Sequence, residues 1–181
     1  LKRNGAKSVT VVIPYLGYAR ANKVENPGEP HRLRYVAELL SQTGAPISIL
    51  DIHNEQSLNL FDVGATSISA IHTLAKGIKK YITWQSCVIV APDYGARGRA
   101  AHCAAALGVK SVLVLKKKRD GKKVRIEKPR ISLEKKTAVI VDDIFDTGST
   151  LLRAAGIAKE LGAGKVYGLV THGVFSGNAR A

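Results

Sequence analysis

Residues 137–150 read Thr-Ala-Val-Ile-Val-Asp-Asp-Ile-Phe-Asp-Thr-Gly-Ser-Thr. The apolar run 138–141 is rich in β-branched residues and bounded by polar ones, the pattern of a buried strand in a parallel sheet. Asp142 and Asp143 stand where that strand is expected to end. Asp146, Thr147, Gly148, Ser149 and Thr150 read as a turn, and a helical pattern follows over 151–161. A strand, a small polar turn and a helix N-terminus together make an anion site. The first-turn N–H groups lack intrahelical partners, the helix dipole is positive there, and Thr and Ser hydroxyls add donors.

The two carboxylates upstream repel a phosphate. They suit a neighbouring polyol, whose hydroxyls donate to carboxylate oxygens, or a bridging Mg²⁺. Both halves together fit a sugar phosphate, with ribose hydroxyls on the acids and the 5′-phosphate on the turn. An ordinary capped helix after a strand, with Asp146 or Thr147 as its N-cap, is the plainer reading of the same residues.

Working outward, residues 87–90 form another buried strand. The segment 91–98, Ala-Pro-Asp-Tyr-Gly-Ala-Arg-Gly, is then a loop of small residues leading into an Ala-rich helix over 99–107. Small residues let backbone N–H groups approach an anion closely, although a plain strand-to-helix turn has the same composition. Residues 111–115 are a further strand, with Lys-Lys-Lys-Arg-Asp-Gly-Lys-Lys behind it at 116–123. From 116 to 136 the chain carries eleven Lys and Arg against three acids, a net +8. Such a run is either a solvated face or a set of phosphate ligands. Residues 165–171 read as the last strand, ending in His-Gly-Val-Phe-Ser-Gly at 172–177.

Towards the N-terminus, 8–14 reads as a buried strand, followed by Tyr-Leu-Gly-Tyr-Ala-Arg at 15–20. The Arg20 guanidinium either forks onto phosphate or stacks on a base, or is a surface arginine. After a loop at 22–30, a helix over 31–42 places Leu33, Val36, Ala37 and Leu40 on one face. The strand 47–50 ends in Asp51-Ile52-His53, where the histidine is a ligand or a satisfied structural residue. Segment 64–70 reads as the crossing into a second domain, which opens with a helix over 71–81.

Of the 181 residues 45% are apolar, ample for a packed core, and no apolar run is long enough to span a membrane. The net charge of +14 calls for an anionic partner. Aromatic content of 6% leaves little to stack on bases, which disfavours nucleic acid against a nucleotide or sugar phosphate. Cys87 and Cys103 have no metal-ligand spacing and are expected to be buried thiols of a cytoplasmic, reducing compartment. The chain opens on Leu1 and contains no Met, so it is expected to be part of a longer product.

Taken in order, these segments resemble the ribose-phosphate pyrophosphokinase (PRPP synthetase) family of the phosphoribosyltransferase fold. Residues 141–150 are similar to that fold's PRPP loop. The 15–20, 51–53, 91–98, 116–119 and 171–177 segments match the family in sequence order. The resemblance implies that Asp142 and Asp143 hold ribose, and that Asp146, Thr147, Gly148, Ser149 and Thr150 hold its phosphate. It implies that Asp93 and Gly95 bind pyrophosphate, with Asp93 also near Mg²⁺ and ATP. Arg20 would contact ATP, and His53 both the ATP phosphates and the metal. Lys116 and Lys118 would sit in a mobile loop that neutralises the transferring pyrophosphoryl group. Three positions depart from the family: Ala21 for glutamine, Ala96 for glycine and Lys118 for arginine.

The implied fold is α/β, two related phosphoribosyltransferase-like domains with parallel sheets. Residues 1–68 would be the C-terminal half of an incomplete ATP-side domain, and 69–181 a second, ribose-5-phosphate-binding domain. The implied reaction passes pyrophosphate from MgATP to ribose 5-phosphate, giving PRPP and AMP, in a homo-oligomer, hexamer or dimer. Two rivals belong to other classes. One is a non-catalytic PRPP-synthetase-like subunit in a larger, nucleic-acid-containing assembly. The other is a phosphoribosyltransferase that consumes PRPP, against which the 15–20 and 51–53 segments weigh, since they belong to an ATP half.

Overall fold

Short apolar runs alternating with amphipathic helices give the chain a βα rhythm, and it divides into two units, Leu1–Ala70 and Ile71–Ala181. The structure, a computed structural model, describes every residue except 25, 121, 122, 128, 178, 180 and 181. Side chains are described except at those positions and at 2, 117–120 and 123–127.

The first unit holds β1 (Val11–Ile13), α1 (Arg32–Ser41), β2 (Ile47–Leu50) and β3 (Ala65–Ile68), with a parallel sheet ordered β1-β2-β3. His31 starts α1, its Nδ1 accepting from the Arg34 N–H at 3.1 Å. Leu33 and Ala37 of α1 are buried among Ile47 and Ile49, with Val36 and Leu40 packed alongside, so the expected apolar face is the one that docks. Two expectations need correction. The first strand is three residues rather than 8–14, since its ladder with β2 runs from Val11 to Ile13, and it is not buried, Val12 being exposed. The crossing segment 64–70 is not a bare linker: β3 lies within it and pairs with β2 from Ile47↔Ala65 to Leu50↔Ile68.

In the second unit come α2 (Ile71–Lys79), β4 (Cys87–Ala91), α3 (Arg97–Leu107), β5 (Val112–Val114), β6 (Lys116–Asp120), β7 (Lys123–Glu127), β8 (Thr137–Phe145), α4 (Ser149–Glu160) and β9 (Lys165–Gly173). Strands β5-β4-β8-β9 form a parallel sheet. Both faces are covered. Ile89, Val139 and Val141 point into one core with Ala100, Cys103 and Leu107 of α3; Val88, Val90, Ala138 and Ile140 point into the other with Leu151, Ala154 and Ala158 of α4. That is why β4 and residues 138–141 of β8 are continuously apolar rather than alternating. Each Val or Ile so buried contributes about 1.5–3 kcal/mol. Burial also pushes the Cys87 thiol up to about 11 and the Cys103 thiol to about 12, so both are inert packing groups.

Three further readings change here. β8 does not end before the acids; it runs on to Phe145, because β9 continues the ladder through Ile144↔His172 and Phe145↔Gly173. α4 starts at Ser149, two residues early, and its N-cap is Gly148 rather than Asp146 or Thr147, with no side-chain cap bond. Finally, part of the basic run is extended, while residues 121 and 122 lie outside the described residues. β6 and β7 pair antiparallel, from Lys116↔Glu127 to Asp120↔Lys123, as a two-stranded sheet.

Candidate functional site

The strand order places the site. From β4 the chain steps outward to β5, and from β8 it steps outward in the opposite direction to β9. The C-terminal ends of β4 and β8 therefore flank a topological switch point, where open α/β sheets bind ligands. Residues 92–96 follow β4, and Asp142 and Asp143 lie in the last four residues of β8. Two sequence-predicted groups are thus brought to one edge by the sheet itself.

Arg99, near the head of α3, faces the acids. Its Nη1 is 3.9 Å from Asp142 Oδ1 and its Nη2 is 3.6 Å from Asp143 Oδ2. The Asp142 side chain is 17% exposed and that of Asp143 4%. The Asp142 carboxyl is raised from its ordinary 3.8 to about 7, first by burial and then by the negative charge of Asp143. The Asp143 N–H, which donates to Asp142 Oδ1 at 3.0 Å, and the Arg99 charge oppose that rise.

The phosphate end is built by Gly148 and the start of α4. Gly148 has φ +81°, a left-handed conformation that turns the chain from strand into helix. Thr147 Oγ1 accepts from the Ser149 N–H at 3.4 Å and lies 3.3 Å from Ser149 Oγ, so the turn hydroxyls cluster at the helix N-terminus. The segment after β9 braces this turn. Val174 and Phe175 N–H both donate to the Phe145 carbonyl, at 2.9 and 3.2 Å, and the Ser176 N–H donates to that of Asp146 at 3.1 Å. The Ser176 hydroxyl donates to the Asp146 carboxylate, and the Phe145 and Phe175 rings lie 5.2 Å apart.

Asp93 organises its own loop: its Oδ1 accepts from the Ala96 N–H at 3.1 Å. A Cβ on Gly95 would stand 3.2 Å from that same oxygen, so a small residue is favoured there. Lys116 is exposed and directly follows the buried Leu115. Lys118 lies in β6 opposite Arg125, its side chain outside the described residues.

The first unit carries the other two candidates. Arg20 is exposed on the turn after β1 and borders a cleft of about 460 Å³ with Ala21, Asn22, Lys23, Glu29, Pro30 and Arg32. Three of those side chains are cationic, which suits a polyphosphate. His53 is exposed beyond β2, while neighbouring Asp51 is buried and accepts from the Ala70 N–H at 3.0 Å. Among the described residues no group of three or more His, Cys, Asp and Glu could hold a metal ion, and no helix is long and apolar enough to cross a membrane.

Sequence reasoning missed Arg99 and Ser176. Arg99 was visible only as the first residue of an Ala-rich helix, and Ser176 only as part of a motif read as structural.

The chain is similar to known proteins over nearly its whole length. The family model for the phosphoribosyl transferase domain matches residues 62–173, and that for the N-terminal domain of ribose phosphate pyrophosphokinase matches residues 1–44. A ribose-phosphate pyrophosphokinase of Methanopyrus kandleri is 35% identical over 98% of this chain and 61% of its own length. One from Ureaplasma parvum is 40% identical over 99% of this chain and 55% of its own length. The chain therefore spans little more than half the length of these relatives. The crystal structure of phosphoribosylpyrophosphate synthetase from Mycobacterium smegmatis superposes with a TM-score of 0.81 at 32% identity, covering 98% of this chain and 58% of that one. With the domain match over most of its length, the chain belongs to the phosphoribosyl transferase domain family.

Proposed function

We propose that this chain carries the ribose-5-phosphate half and part of the ATP half of a ribose-phosphate diphosphokinase. The observation that supports this most is the pairing, on one strand-turn-helix unit at the sheet's switch point, of an acid pair with an anion-binding helix N-terminus. Asp142 and Asp143 accept from ribose hydroxyls; the Thr147, Ser149 and Thr150 hydroxyls and the first N–H groups of α4 hold the 5′-phosphate across Gly148, with Asp146 fixed by Ser176. Asp93 and Gly95 shape the pyrophosphate loop. Arg20 and His53 serve the ATP phosphates, and Lys116 with Lys118 neutralises the group in transfer. Residues 1–68 would then be the ATP-side domain and 69–181 the sugar-phosphate domain, in a cytoplasmic homo-oligomer.

In the reaction, the 1-hydroxyl oxygen of ribose 5-phosphate bonds to the β-phosphorus of ATP. The bond from that phosphorus to the α–β bridging oxygen breaks, AMP leaves with the oxygen, and the hydroxyl proton passes to solvent. The protein's part is positioning and charge neutralisation. Mg²⁺ fits this assignment, because it keeps several waters and needs only one or two carboxylates beside substrate phosphates, which Asp93 offers. When bound it neutralises polyphosphate charge. His53, assigned to the metal as well, is by its chemistry better suited to donate to a phosphate oxygen than to ligate a hard cation.

The test is AMP release from MgATP and ribose 5-phosphate, beside calorimetric binding of ribose 5-phosphate. Binding with turnover is expected, and His53→Ala should reduce turnover. Absence of ribose-5-phosphate binding refutes the reading. Binding without AMP release would instead favour a non-catalytic subunit, the reading to which Ala21, Ala96 and Lys118 lend support.

A further inference from the structure

We propose that Arg99 is a positioning residue for the sugar, its guanidinium spanning Asp142 and Asp143 so that both carboxylates are set as acceptors for ribose hydroxyls. The inference rests on reading that pair as the ribose ligands.

Three features of the fold carry it. Arg99 reaches both acids at once, at 3.9 and 3.6 Å. Those are ion-pair rather than hydrogen-bond distances, so the guanidinium supplies charge at a range where it does not lock the oxygens into short bonds. Next, the acids need a counter-charge. Two adjacent carboxylates, one of them 4% exposed, repel each other, and a guanidinium within ion-pair distance of both offsets that repulsion. Last, the cation is held in place. Ala100 and Cys103, one residue and one turn beyond it, are fully buried in the core that also takes Val139 and Val141 of β8. The helix that carries Arg99 and the strand that carries the acids thus share one packed interior, and the 91–98 loop lies directly before that helix. A shift of the loop would be felt at the acids through Arg99.

The experiment compares wild type, Arg99→Met, Arg99→Gln and Arg99→Lys in the full chain. Each is titrated with ribose 5-phosphate and, separately, with inorganic phosphate, which probes the α4 turn alone. Wild type should prefer ribose 5-phosphate. Arg99→Met and Arg99→Gln should each lose at least about tenfold of that preference, while phosphate affinity changes by no more than about threefold. Arg99→Lys should recover most of the preference. A preference retained in either uncharged variant overturns the proposal. So does a parallel loss of both ligands, which would mark a general structural role, and so does failure of lysine to rescue. A wild-type chain with no preference for ribose 5-phosphate over phosphate overturns the sugar site itself, and the proposal with it.

Discussion

Gly148→Ala tests the geometry on which the phosphate turn depends. Gly148 has φ +81°, and a Cβ built there would lie 2.8 Å from Phe145 Cζ and 3.2 Å from Cε1. Two costs follow. An L-residue in the left-handed region is disfavoured by about 1–2 kcal/mol. The Phe145 ring must also retreat by several tenths of an ångström, and a side chain pushed off its rotamer costs about 0.5–1.5 kcal/mol. Alanine recovers about 0.4–1 kcal/mol by restricting the unfolded chain, which leaves a net loss of roughly 0.5–3 kcal/mol. For a chain of this size the melting temperature should fall by about 2–4 °C per kcal/mol. The ring contribution can be isolated. In a Phe145→Ala background the clash is gone, so Gly148→Ala should cost only its backbone part, and the two substitutions should couple. Ribose-5-phosphate affinity should fall as well, because the Gly148 carbonyl accepts the Leu152 N–H at 2.9 Å and anchors the first turn of α4. An equal cost in both backgrounds would refute the ring contact. No cost in either would refute the left-handed turn.

Asp142 should make stability depend on pH. Its carboxyl is raised from 3.8 to about 7, so between those values the folded chain holds a proton that the unfolded chain has released. That stabilisation is fully present below about 3.8 and is lost as pH rises through about 7. Melting temperature relative to Asp142→Asn should therefore decline across this window, and a constant difference would count against the shift. Ser176→Ala removes the hydroxyl that donates to Asp146 and should weaken ribose-5-phosphate binding by about 1–3 kcal/mol in calorimetry; unchanged affinity would leave the bracing segment without a role in the site. Lys116→Ala should reduce turnover by a factor on the order of 10² with binding preserved, while Lys110→Ala, exposed before β5, should be mild. Equal small effects at the two lysines in a steady-state assay would return the basic run to a solvated face.

The parts of this fold that could be read from sequence are those where local pattern and burial coincide. β4 and residues 138–141 of β8 are continuous apolar runs because both faces of their sheet are covered, and the turn residues 146–150 follow the strand immediately. β3 escaped notice because Ala-Thr-Ser-Ile carries little apolar signal, being covered on one face alone. The β6–β7 pair had a faint signal in the alternating Val124 and Ile126, set among lysines of low strand propensity. Arg99 had none. Its partners are distant in sequence and become neighbours only once β4 and β8 pair and α3 packs across them. Ser176 was within a recognised segment, yet its bond to Asp146 exists only because β9 brings the chain end back beside β8.

One tension in the proposed site remains to be resolved physically: an acid pair beside an anion site. Three residues of extended chain separate Asp143 from Asp146, a span of about 10 Å at ~3.3 Å per residue. At an effective dielectric of about 20, unit charges at that distance interact by about 1.7 kcal/mol, which physiological salt, with a Debye length of about 8 Å, cuts to about 0.5 kcal/mol per acid. The acids therefore weaken a phosphate at the α4 N-terminus only slightly, and the cost is smaller still with Arg99 across both carboxylates. The same distance dependence gives the removal of Arg99 its specific signature. Phosphate, a screening length away, should hardly respond, whereas hydroxyls in direct contact with the acids should respond strongly. A site in which phosphate and sugar affinities fell together would have its two halves closer, or its acids elsewhere, than this strand places them.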